Sequence, residues 1–315
     1  MDAFYNELKN YGIVKTNELL SKHTTFKIGG PARFFIIVND LEKLTGLLNY
    51  VRGQDVNYII LGGGSNMLMS DNGFDGLIIK LKSENQPQIK EEDGKFLAVC
   101  EAGVALSALV DLASRNSLSG MEWGVGIPGT VGGAIRGNAG AMGKSVSMPL
   151  KWVEVWRDGE ILKLYPEDCC FEYRDSIFKK NKDVIIKACV VLEKGEKQAI
   201  VSQIQNNLQQ RKHSSFPSAG SFFKNLQLDK WPGNHEDLPE KFRQRGMVPV
   251  GWMSEQLNLK GYSVGGAKLS EDHGNYIVNA NNATQADVLT LVEEIKGKIY
   301  NRFGVELEPE VEIIK

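Results

Sequence analysis

The most regular alternation of apolar and polar positions lies near the C-terminus of the 315-residue chain. Apolar residues recur there at intervals of three or four: Val288, Leu291, Ile295, Ile299 and Phe303. This interval puts them on one face of a helix. Thr284 and Asp287 have the spacing of a capping box, and Gly304 is the residue type that ends helices. The pattern predicts a helix between Thr284 and Gly304, followed by a terminal strand over residues 305–314.

Three short apolar runs in the N-terminal part predict strands, at residues 34–38, 58–61 and 77–81. Between the first two runs, Asp40 is a suitable N-cap and Gly53 a suitable end for an amphipathic helix. This order is typical of half of a small α/β domain. A glycine-rich turn follows the second run directly. Because α/β folds bind ligands at the carboxyl ends of strands, this turn is a candidate site, and a plain connecting turn is the alternative.

The other patterns predict a mixed or antiparallel sheet. We expect strands at residues 96–101, 152–156, 161–164, 184–192 and 276–279. Asp158 and Gly159 predict a hairpin turn between two of them. We expect helices, extended segments and loops as follows: short helices within 3–21, an extended segment at 25–28, a polar hairpin loop at 83–95, a helix at 106–114, a polar linker helix at 196–212 and an exposed excursion at 226–246.

Residues 124–143, GVGIPGTVGGAIRGNAGAMG, contain too many glycines for an ordinary helix or strand. Each glycine inside a helix costs about 1 kcal/mol relative to alanine. Glycine instead permits positive φ angles and close backbone approach, and successive free N–H groups can form a concave anion site. We therefore expect the chain to wrap around a phosphate-bearing cofactor here. A set of tight turns without a ligand is the alternative.

Part of this stretch matches a dinucleotide fingerprint. Gly124, Gly126 and Gly129 have the G-x-G-x-x-G spacing, which functions only after a strand and with a helix that opens at the third glycine. Residues 118–121 do not have a strand pattern, and Pro128 lies inside the motif. More glycines follow where the helix should begin. We therefore expect neither a helix nor a Rossmann site at this position.

Composition narrows the function further. Apolar residues make up 42% and charged residues 24%, which is ordinary for a globular protein, and the length suggests two or three domains. A net charge of −2 gives no field that would recruit nucleic acid. The cysteines lack metal-ligand spacing and fit reduced structural thiols: Cys100, Cys169, Cys170 and Cys189. The N-terminus lacks a signal-peptide pattern, and no apolar run reaches the roughly 20 residues of a membrane span. We therefore expect a cytoplasmic protein without metal, nucleic-acid or membrane partners.

Three polar segments are candidates for chemistry. Arg174, in FEYRDS, could clamp a carboxylate or could form a surface ion pair with Glu172 or Asp175. Ser221, in PSAGSFFKN, could donate a proton or could be a turn residue, and the segment is not a G-x-S-x-G elbow. Glu310, in LEPEV, would be costly to bury unpaired, which suggests pairing or catalysis, with an exposed edge strand as the alternative.

Taken together, the motifs resemble those of the UDP-N-acetylenolpyruvoylglucosamine reductase family, flavoenzymes of peptidoglycan precursor synthesis. They span nearly the whole chain: HTTFKIGGPA, LGGGSN, GIPGTVGGAIRGNAGAMG, FEYRDSIFK, PSAGSFFKN, EQLNLKGYSVGGAKLSEDHGNYIVNANNAT and FGVELEPEVEII. No extra tyrosine-bearing loop follows FEYRDS, so the chain resembles the shorter of the family's two types.

The resemblance implies an α+β protein. It would have an FAD-binding fold of the vanillyl-alcohol oxidase type in two subdomains, plus a C-terminal α+β substrate-binding domain. The implied boundaries are 1–81 with 303–315 for the first subdomain, 82–212 for the second and 213–302 for the substrate domain, with the FAD-binding region at about 29–194. The resemblance also implies FAD as cofactor, NADPH as electron donor, UDP-N-acetylglucosamine enolpyruvate as substrate, and a monomer.

The resemblance further implies site residues. Cofactor-binding residues would be Gly62, Gly63, Gly64, Ser65, Asn66, Pro128, Gly129, Thr130, Gly132, Gly133, Asn138, Ala139 and Gly140. Substrate-binding residues would be Tyr173, Lys212 and Asn225. In the implied reaction, hydride passes from flavin N5 to the vinyl carbon, and Ser221 gives a proton to the neighbouring carbon. Arg174 and Glu310 would polarise the carboxylate, with Glu310 protonated or sharing a proton.

The chain departs from the family pattern in three places. Residues 212–216, KHSSF, replace a QPLEY-like run, Leu226 replaces the usual proline after Asn225, and 226–246 is longer than in compact members. These departures bear on UDP recognition and lid packing and leave the flavin and catalytic motifs intact. Two other functions are open: an FAD-dependent sugar or alcohol oxidase of the same fold, and a non-catalytic UDP-sugar-binding protein.

Overall fold

A computed structural model describes residues 2–211 and 214–315 of the chain. The chain packs as two units. The first comprises Ala32–Gly63, Asp75–Arg211 and the described residues of Met1–Glu18. The second comprises Leu19–Pro31, Gly64–Phe74 and the described residues of Lys212–Lys315. The domain boundaries implied by the resemblance stay predictions.

The α-helices, in chain order, are α1 (Asp2–Leu8), α2 (Leu41–Arg52), α3 (Leu106–Arg115), α4 (Val131–Arg136), α5 (Lys197–Gln210), α6 (Glu240–Arg245), α7 (Val250–Gln256) and α8 (Gln285–Phe303). The strands are β1 (Ile13–Leu19), β2 (Pro31–Val38), β3 (Tyr58–Leu61), β4 (Met67–Leu68), β5 (Phe74–Leu81), β6 (Gln88–Glu92), β7 (Lys95–Glu101), β8 (Leu118–Ser119), β9 (Gly140–Ala141), β10 (Lys144–Ser145), β11 (Leu150–Arg157), β12 (Glu160–Leu164), β13 (Val184–Lys194), β14 (Ser218–Ser221), β15 (Leu226–Gln227), β16 (Met247–Val248), β17 (Ser263–Val264), β18 (Ala267–Leu269), β19 (Tyr276–Asn279) and β20 (Glu312–Ile313).

The first unit contains a four-stranded sheet in the order β1-β2-β5-β3, with β3 and β5 parallel. The predicted helix between β2 and β3 is confirmed as α2. The Asp40 carboxylate accepts a hydrogen bond from the Lys43 amide at 2.9 Å, which is the N-cap that the sequence indicates. The apolar face of α2 packs into one core with the inner faces of β2 and β5. This packing fixes the position of the glycine turn that follows β3.

A second, antiparallel sheet in the first unit has the order β12-β11-β13-β7-β6, with β8 on β13. The predicted hairpin turn is confirmed: Asp158 and Gly159 have φ angles of 51° and 101° and join β11 to β12. The buried core of this sheet also includes residues of α3 and α4, which packs α4 against the strands.

The second unit is built on an antiparallel sheet in the order β14-β19-β18-β17. The predicted C-terminal helix is confirmed as α8, with the Thr284–Asp287 capping box and Gly304 in the left-handed conformation. Its buried face joins Phe222, Phe223 and other apolar residues in one core. The last strand, β20, pairs in parallel with β4.

Several local predictions are wrong. Residues 13–19 form the edge strand β1 instead of a helix, because pairing with β2 outweighs a helical apolar spacing. The segment 25–28 is a turn with Lys27 at φ 58°, and residues 88–92 form a strand that pairs with β7. The terminal strand is only Glu312–Ile313, preceded by a segment containing Pro309, which has no N–H for a continuous ladder.

The two long polar segments also differ in part from expectation. The linker helix is confirmed as α5, yet it is not simply solvated: Ile200 and Asn207 are buried, and the Asn207 side chain donates to the Glu122 carbonyl at 2.9 Å. The excursion at 226–246 is mostly exposed, but Leu238 and Phe242 are buried in the core of the second unit. Apolar side chains in both segments therefore anchor them to the fold.

Candidate active site

In the first unit, the glycine turn after β3 packs directly on the long glycine stretch. A Cβ atom added to Gly62 would lie 2.5 Å from the Thr130 hydroxyl oxygen, and one added to Gly63 would lie 2.6 Å from the Gly129 Cα. Such distances exclude any side chain, so glycine is required for the close approach of the two backbones. Among the described residues, no acceptor is found for the amide N–H groups of Gly62, Gly63, Gly129 and Thr130. These four donors can therefore bind an anionic group.

The segment after Gly129 contradicts the expectation that no helix opens there. Thr130 is the N-cap of α4, and its hydroxyl oxygen accepts from the Gly133 amide at 3.3 Å. The amides of Val131 and Gly132 donate to the carbonyls of Val104 and Ala102, each at 2.9 Å. Packing against these carbonyls stabilises a helix that the glycine content disfavours. Since these amides already have protein acceptors, the free donors lie before α4.

Beneath the turn, the Lys80 ammonium group donates to the Gly62 carbonyl. Burial lowers the pKa of Lys80 from its ordinary value of 10.5. Sequence reasoning missed this residue, since a lysine at the end of an apolar strand usually points to solvent. The contact fixes the peptide of Gly62 and adds a positive charge near the free amides.

The segment after α4 holds the turn that carries Arg174. The Asn138 side chain donates to the Glu172 carbonyl at 2.7 Å, and the Arg174 guanidinium donates to the Gly140 carbonyl at 2.7 Å. Arg174 itself has a φ of 57° and lies over the Tyr173 ring, 5.3 Å from its centre. Asn138, Gly140, Tyr173 and Arg174 are therefore brought together, in agreement with their shared prediction as site residues.

Neighbouring groups clarify the two alternatives for Arg174. Asp175 accepts from Lys180 at 2.9 Å and from the Ser176 amide at 2.8 Å. Burial alone would raise the pKa of Asp175, but these hydrogen bonds outweigh it and lower the pKa below 3.8. Asp175 thus remains ionised beside Lys180. The Asn138 Oδ1 atom is buried and has no hydrogen-bond partner among the described residues, which leaves an acceptor for a ligand donor.

In the second unit, Gly64, Ser65 and Asn66 continue the turn. Gly64 has a φ of 64°, and an added Cβ would lie 2.2 Å from the His23 carbonyl oxygen. The Gly64 carbonyl in turn accepts from the Thr25 amide at 3.0 Å. The HTT motif therefore supports the end of the turn.

Ser221 ends β14 next to an irregularity in the sheet. Ser218 and Ser221 pair with Val278 and Tyr276, so three steps on β14 face two on β19. Gly220 lies within this bulge at φ 79°, where an added Cβ would meet nothing within 4 Å. Backbone conformation, and not space, therefore requires glycine there. The bulge turns the half-buried Ser221 at the end of the strand.

Glu310 pairs with the chain next to Ser221. The Glu310 amide donates to the Phe222 carbonyl at 2.8 Å, and the Lys224 amide donates to the Glu308 carbonyl at 2.9 Å. Phe223 and Pro309 form the antiparallel bridge between these two contacts. The structure thus brings Ser221 and Glu310 onto adjacent, hydrogen-bonded segments.

The remaining predicted site residues differ in their surroundings. The Asn225 side-chain oxygen accepts from the Val250 amide at 3.2 Å, so it supports the first turn of α7. Its role in substrate binding stays a prediction. Lys212 lies outside the described residues. No cluster of three or more metal-ligating side chains occurs among the described residues, and no helix in the same part of the chain is long and apolar enough to cross a membrane.

The free amides, the Lys80 charge and the unpartnered Asn138 oxygen all suit a phosphate-bearing cofactor, and comparison with known proteins identifies it. A family model for the FAD-binding domain matches residues 32–165. In class, the protein is therefore a flavoprotein that binds FAD through its N-terminal part.

A second family model, the C-terminal domain of UDP-N-acetylenolpyruvoylglucosamine reductase, matches residues 209–314. The reductase of that name from Bacillus licheniformis is 39% identical over 321 residues, covering 100% of this chain and 99% of the relative. The one from Anoxybacillus flavithermus is 39% identical over 310 residues, covering 97% and 95%. The crystal structure of the Thermus caldophilus reductase is 31% identical, with a TM-score of 0.75 over 96% of this chain and 100% of that one.

The chain belongs to the UDP-N-acetylenolpyruvoylglucosamine reductase family. It is accordingly an oxidoreductase of peptidoglycan precursor synthesis with FAD as its cofactor. The predicted fold class, an FAD-binding fold joined to a C-terminal domain of this family, is confirmed. The individual site residues stay predictions.

Proposed function

We propose that the protein reduces UDP-N-acetylglucosamine enolpyruvate to UDP-N-acetylmuramate, with NADPH as the reductant. The observation that carries this proposal is the pairing of the Ser221 and Glu310 segments, in which the Glu310 amide donates to the Phe222 carbonyl. This pairing puts a hydroxyl and a carboxyl group on neighbouring positions of the second unit. Reduction of an enolpyruvyl carbon–carbon double bond needs both a proton donor and a group that binds the carboxylate.

The residues that would hold FAD are those with free donors and glycine-dependent packing. The amides of Gly62, Gly63, Gly129 and Thr130 would bind the pyrophosphate, with Lys80 supplying a positive charge. Bound FAD supplies two-electron chemistry, taking hydride from NADPH and giving it to the terminal vinyl carbon of the substrate. Asn138 offers a buried acceptor to the cofactor.

The chain's own groups would supply the proton and the charge stabilisation. Ser221 would donate its hydroxyl proton to the carbon next to the reduced one and regain a proton from solvent. Arg174, already oriented by its hydrogen bond to Gly140, would bind the substrate carboxylate. Glu310 would share a proton with the same carboxylate, because two anions in contact would repel. Tyr173, Lys212 and Asn225 are proposed to contact the substrate.

The test follows the flavin spectrum without oxygen. Purified holoprotein is reduced with NADPH, UDP-N-acetylglucosamine enolpyruvate is added, and the flavin absorbance is recorded. Return of the oxidised spectrum together with UDP-N-acetylmuramate formation is the expected result. A flavin that stays reduced until air is admitted would favour an oxidase. A protein that binds the UDP-sugar but does not oxidise NADPH would favour the non-catalytic alternative.

A further inference from the structure

Asn275, which precedes β19, binds the chain beside Ser221 with all its polar backbone and side-chain oxygen atoms. Its side-chain amide donates to the Phe223 carbonyl at 2.8 Å and accepts from the Phe223 amide at 3.0 Å. Its main-chain carbonyl accepts from the Phe222 amide at 2.7 Å. The residue is only 2% exposed, so these bonds do not compete with water.

This contact is needed because regular pairing stops at Ser221. The bulge between Ser218 and Ser221 uses up one residue of β14, and the ladder with β19 ends there. The side chain of Asn275 replaces the missing strand partner by bonding both polar groups of the Phe223 peptide. Asn275 is itself held by its amide, which donates to the Nδ1 atom of His273 at 3.1 Å.

The opposite edge of the same segment holds Glu310. The Phe222 carbonyl accepts from the Glu310 amide at 2.8 Å, and Phe223 bridges to Pro309. Residues 222–224 therefore lie between Asn275 on one side and 308–310 on the other. Any shift of this segment moves Ser221, which is covalently attached, and Glu310, which is hydrogen-bonded to it.

We propose that Asn275 is a positioning residue that keeps Ser221 and Glu310 in register with each other. This inference rests on the proposed function of those two residues. Asn275 acts through the peptide groups of Phe222 and Phe223 and has no chemical step of its own. Small errors in the placement of reacting groups cost about 10²-fold in rate, which sets the expected size of the effect.

The experiment compares Asn275→Asp and Asn275→Ser with Asn279→Asp. Asn275→Asp keeps the shape but replaces the donor to the Phe223 carbonyl with a second acceptor, and serine is too short to bond both groups. Asn279 is a matched control in β19: its side chain donates to the Phe26 and Lys27 carbonyls and accepts from the Ala283 amide. Flavin content, flavin reduction by NADPH and flavin reoxidation by substrate are measured separately for each holoprotein.

We expect both Asn275 variants to bind flavin and to be reduced by NADPH within twofold of the wild type, while reoxidation slows about 10²-fold. Asn279→Asp should reoxidise at nearly the wild-type rate. Equal losses in both half-reactions, or equal losses in the control, would mean that Asn275 only stabilises the fold. Reoxidation within twofold of the wild type would overturn the proposal directly.

A second measurement is independent of turnover. Amide hydrogen exchange in peptides covering 222–224 and 308–311 should accelerate in the Asn275 variants and not in Asn279→Asp. If the wild type itself is not reoxidised by the enolpyruvyl substrate, the proposed function fails, and this exchange measurement still decides the linkage. Unchanged exchange at 308–311 in Asn275→Asp would show that Glu310 does not depend on Asn275.

Discussion

The side-chain amide of Asn66 donates a hydrogen bond to the main-chain carbonyl of Glu310, with an Nδ2–O distance of 3.0 Å. The Asn66 carbonyl also accepts from the Glu312 amide at 3.0 Å, where β4 and β20 begin to pair. One residue of the predicted flavin turn is thus bonded on both sides of the position that carries the predicted catalytic carboxyl group. Flavin binding at this turn and the placement of Glu310 therefore depend on the same residue.

Asn66→Ala tests this dependence. The change removes the donor to the Glu310 carbonyl, and a single hydrogen bond of this kind contributes about 1 kcal/mol, roughly a fivefold change in an equilibrium. We expect slower flavin reoxidation by substrate and faster amide exchange around Glu310. The exposed Asn72 provides the control variant, Asn72→Ala, which should change neither quantity. Weaker FAD binding with unchanged exchange at Glu310 would show that Asn66 serves the cofactor alone.

Ser221→Ala should separate the two half-reactions. The variant lacks the hydroxyl group that is proposed to donate the proton, so reoxidation by substrate should fall by about 10²-fold or more. Reduction by NADPH needs no proton from Ser221 and should be unchanged. Single-turnover absorbance measurements give both rates.

Ser218→Ala is the matched control on the same strand. The Ser218 carbonyl accepts from the Thr25 hydroxyl at 2.7 Å, a main-chain contact that alanine keeps. Its reoxidation rate should stay near the wild-type value. Slower reduction by NADPH in Ser221→Ala would instead indicate that Ser221 is a packing residue. Arg174→Ala and Glu310→Gln should show the Ser221 pattern, each losing about 2.7–4 kcal/mol of transition-state stabilisation.

Gly63→Ala should weaken FAD binding. The added Cβ would lie 2.6 Å from the Gly129 Cα, and no side-chain rotation can relieve a contact with backbone. Overpacking of this kind costs about 1–3 kcal/mol, here at the junction of the two glycine segments. Titration of the apoprotein with FAD, followed by flavin fluorescence, measures the change in affinity.

Gly297→Ala is the control for this effect. Gly297 is exposed within α8, and an added Cβ would meet nothing within 4 Å. Because alanine is the better helix former, this variant should gain up to about 1 kcal/mol of stability and keep its FAD affinity. An unchanged affinity in Gly63→Ala would mean that the turn and the glycine stretch can separate without affecting the cofactor.

Elements with local signals could be predicted from the sequence. The Thr284–Asp287 capping box and Gly304 bound α8, and Asp40 caps α2, because these interactions join residues three or four positions apart. Strands without such signals could not be predicted. Residues 13–19 and 88–92 have the polar character of helix or loop and become strands only through pairing with β2 and β7.

The site divides in the same way. The glycines could be predicted because clustered glycine indicates close backbone approach, and the resemblance supplied Arg174, Ser221 and Glu310. The contribution of Asn275 could not, since it bonds a residue 52 positions away and nothing in HGNY distinguishes it from a turn asparagine. The helix after Gly129 was likewise hidden, because the carbonyls that stabilise it come from another segment.

The cysteines provide a prediction about reactivity. Burial raises the pKa of Cys100 to about 12, that of Cys169 to about 12 and that of Cys189 to about 11, whereas Cys170 is exposed. The thiolate is the reactive form, so a thiol reagent at pH 8 should label Cys170 alone in the folded protein. The other three should react only after denaturation. Rapid labelling of a second cysteine under native conditions would show that its strand opens readily; Cys170→Ser is the control for the single reactive site.

The last prediction concerns acid stability of the second unit. The Asp287 carboxylate accepts from the amides of Thr284 and Gly266, at 3.0 and 3.2 Å, and these bonds lower its pKa below the ordinary value of 3.8. A depressed pKa means that the folded state holds its proton less tightly than the unfolded state. Its stabilisation is therefore complete above pH 3.8 and is lost as the pH falls through the lowered value.

Asp287→Ala should accordingly lower the free energy of opening of α8 by about 1 kcal/mol at pH 7, and the difference from the wild type should narrow below pH 3.8. Amide exchange within α8, measured at pH 7, 5 and 3, gives this difference. Glu293→Ala is the control, because its exposed carboxylate pairs only with Lys296 at 2.9 Å, three positions away, and contributes a few tenths of a kcal/mol. A gap between Asp287→Ala and the wild type that is as large at pH 3 as at pH 7 would mean that the shape of the cap, and not its charge, stabilises the helix.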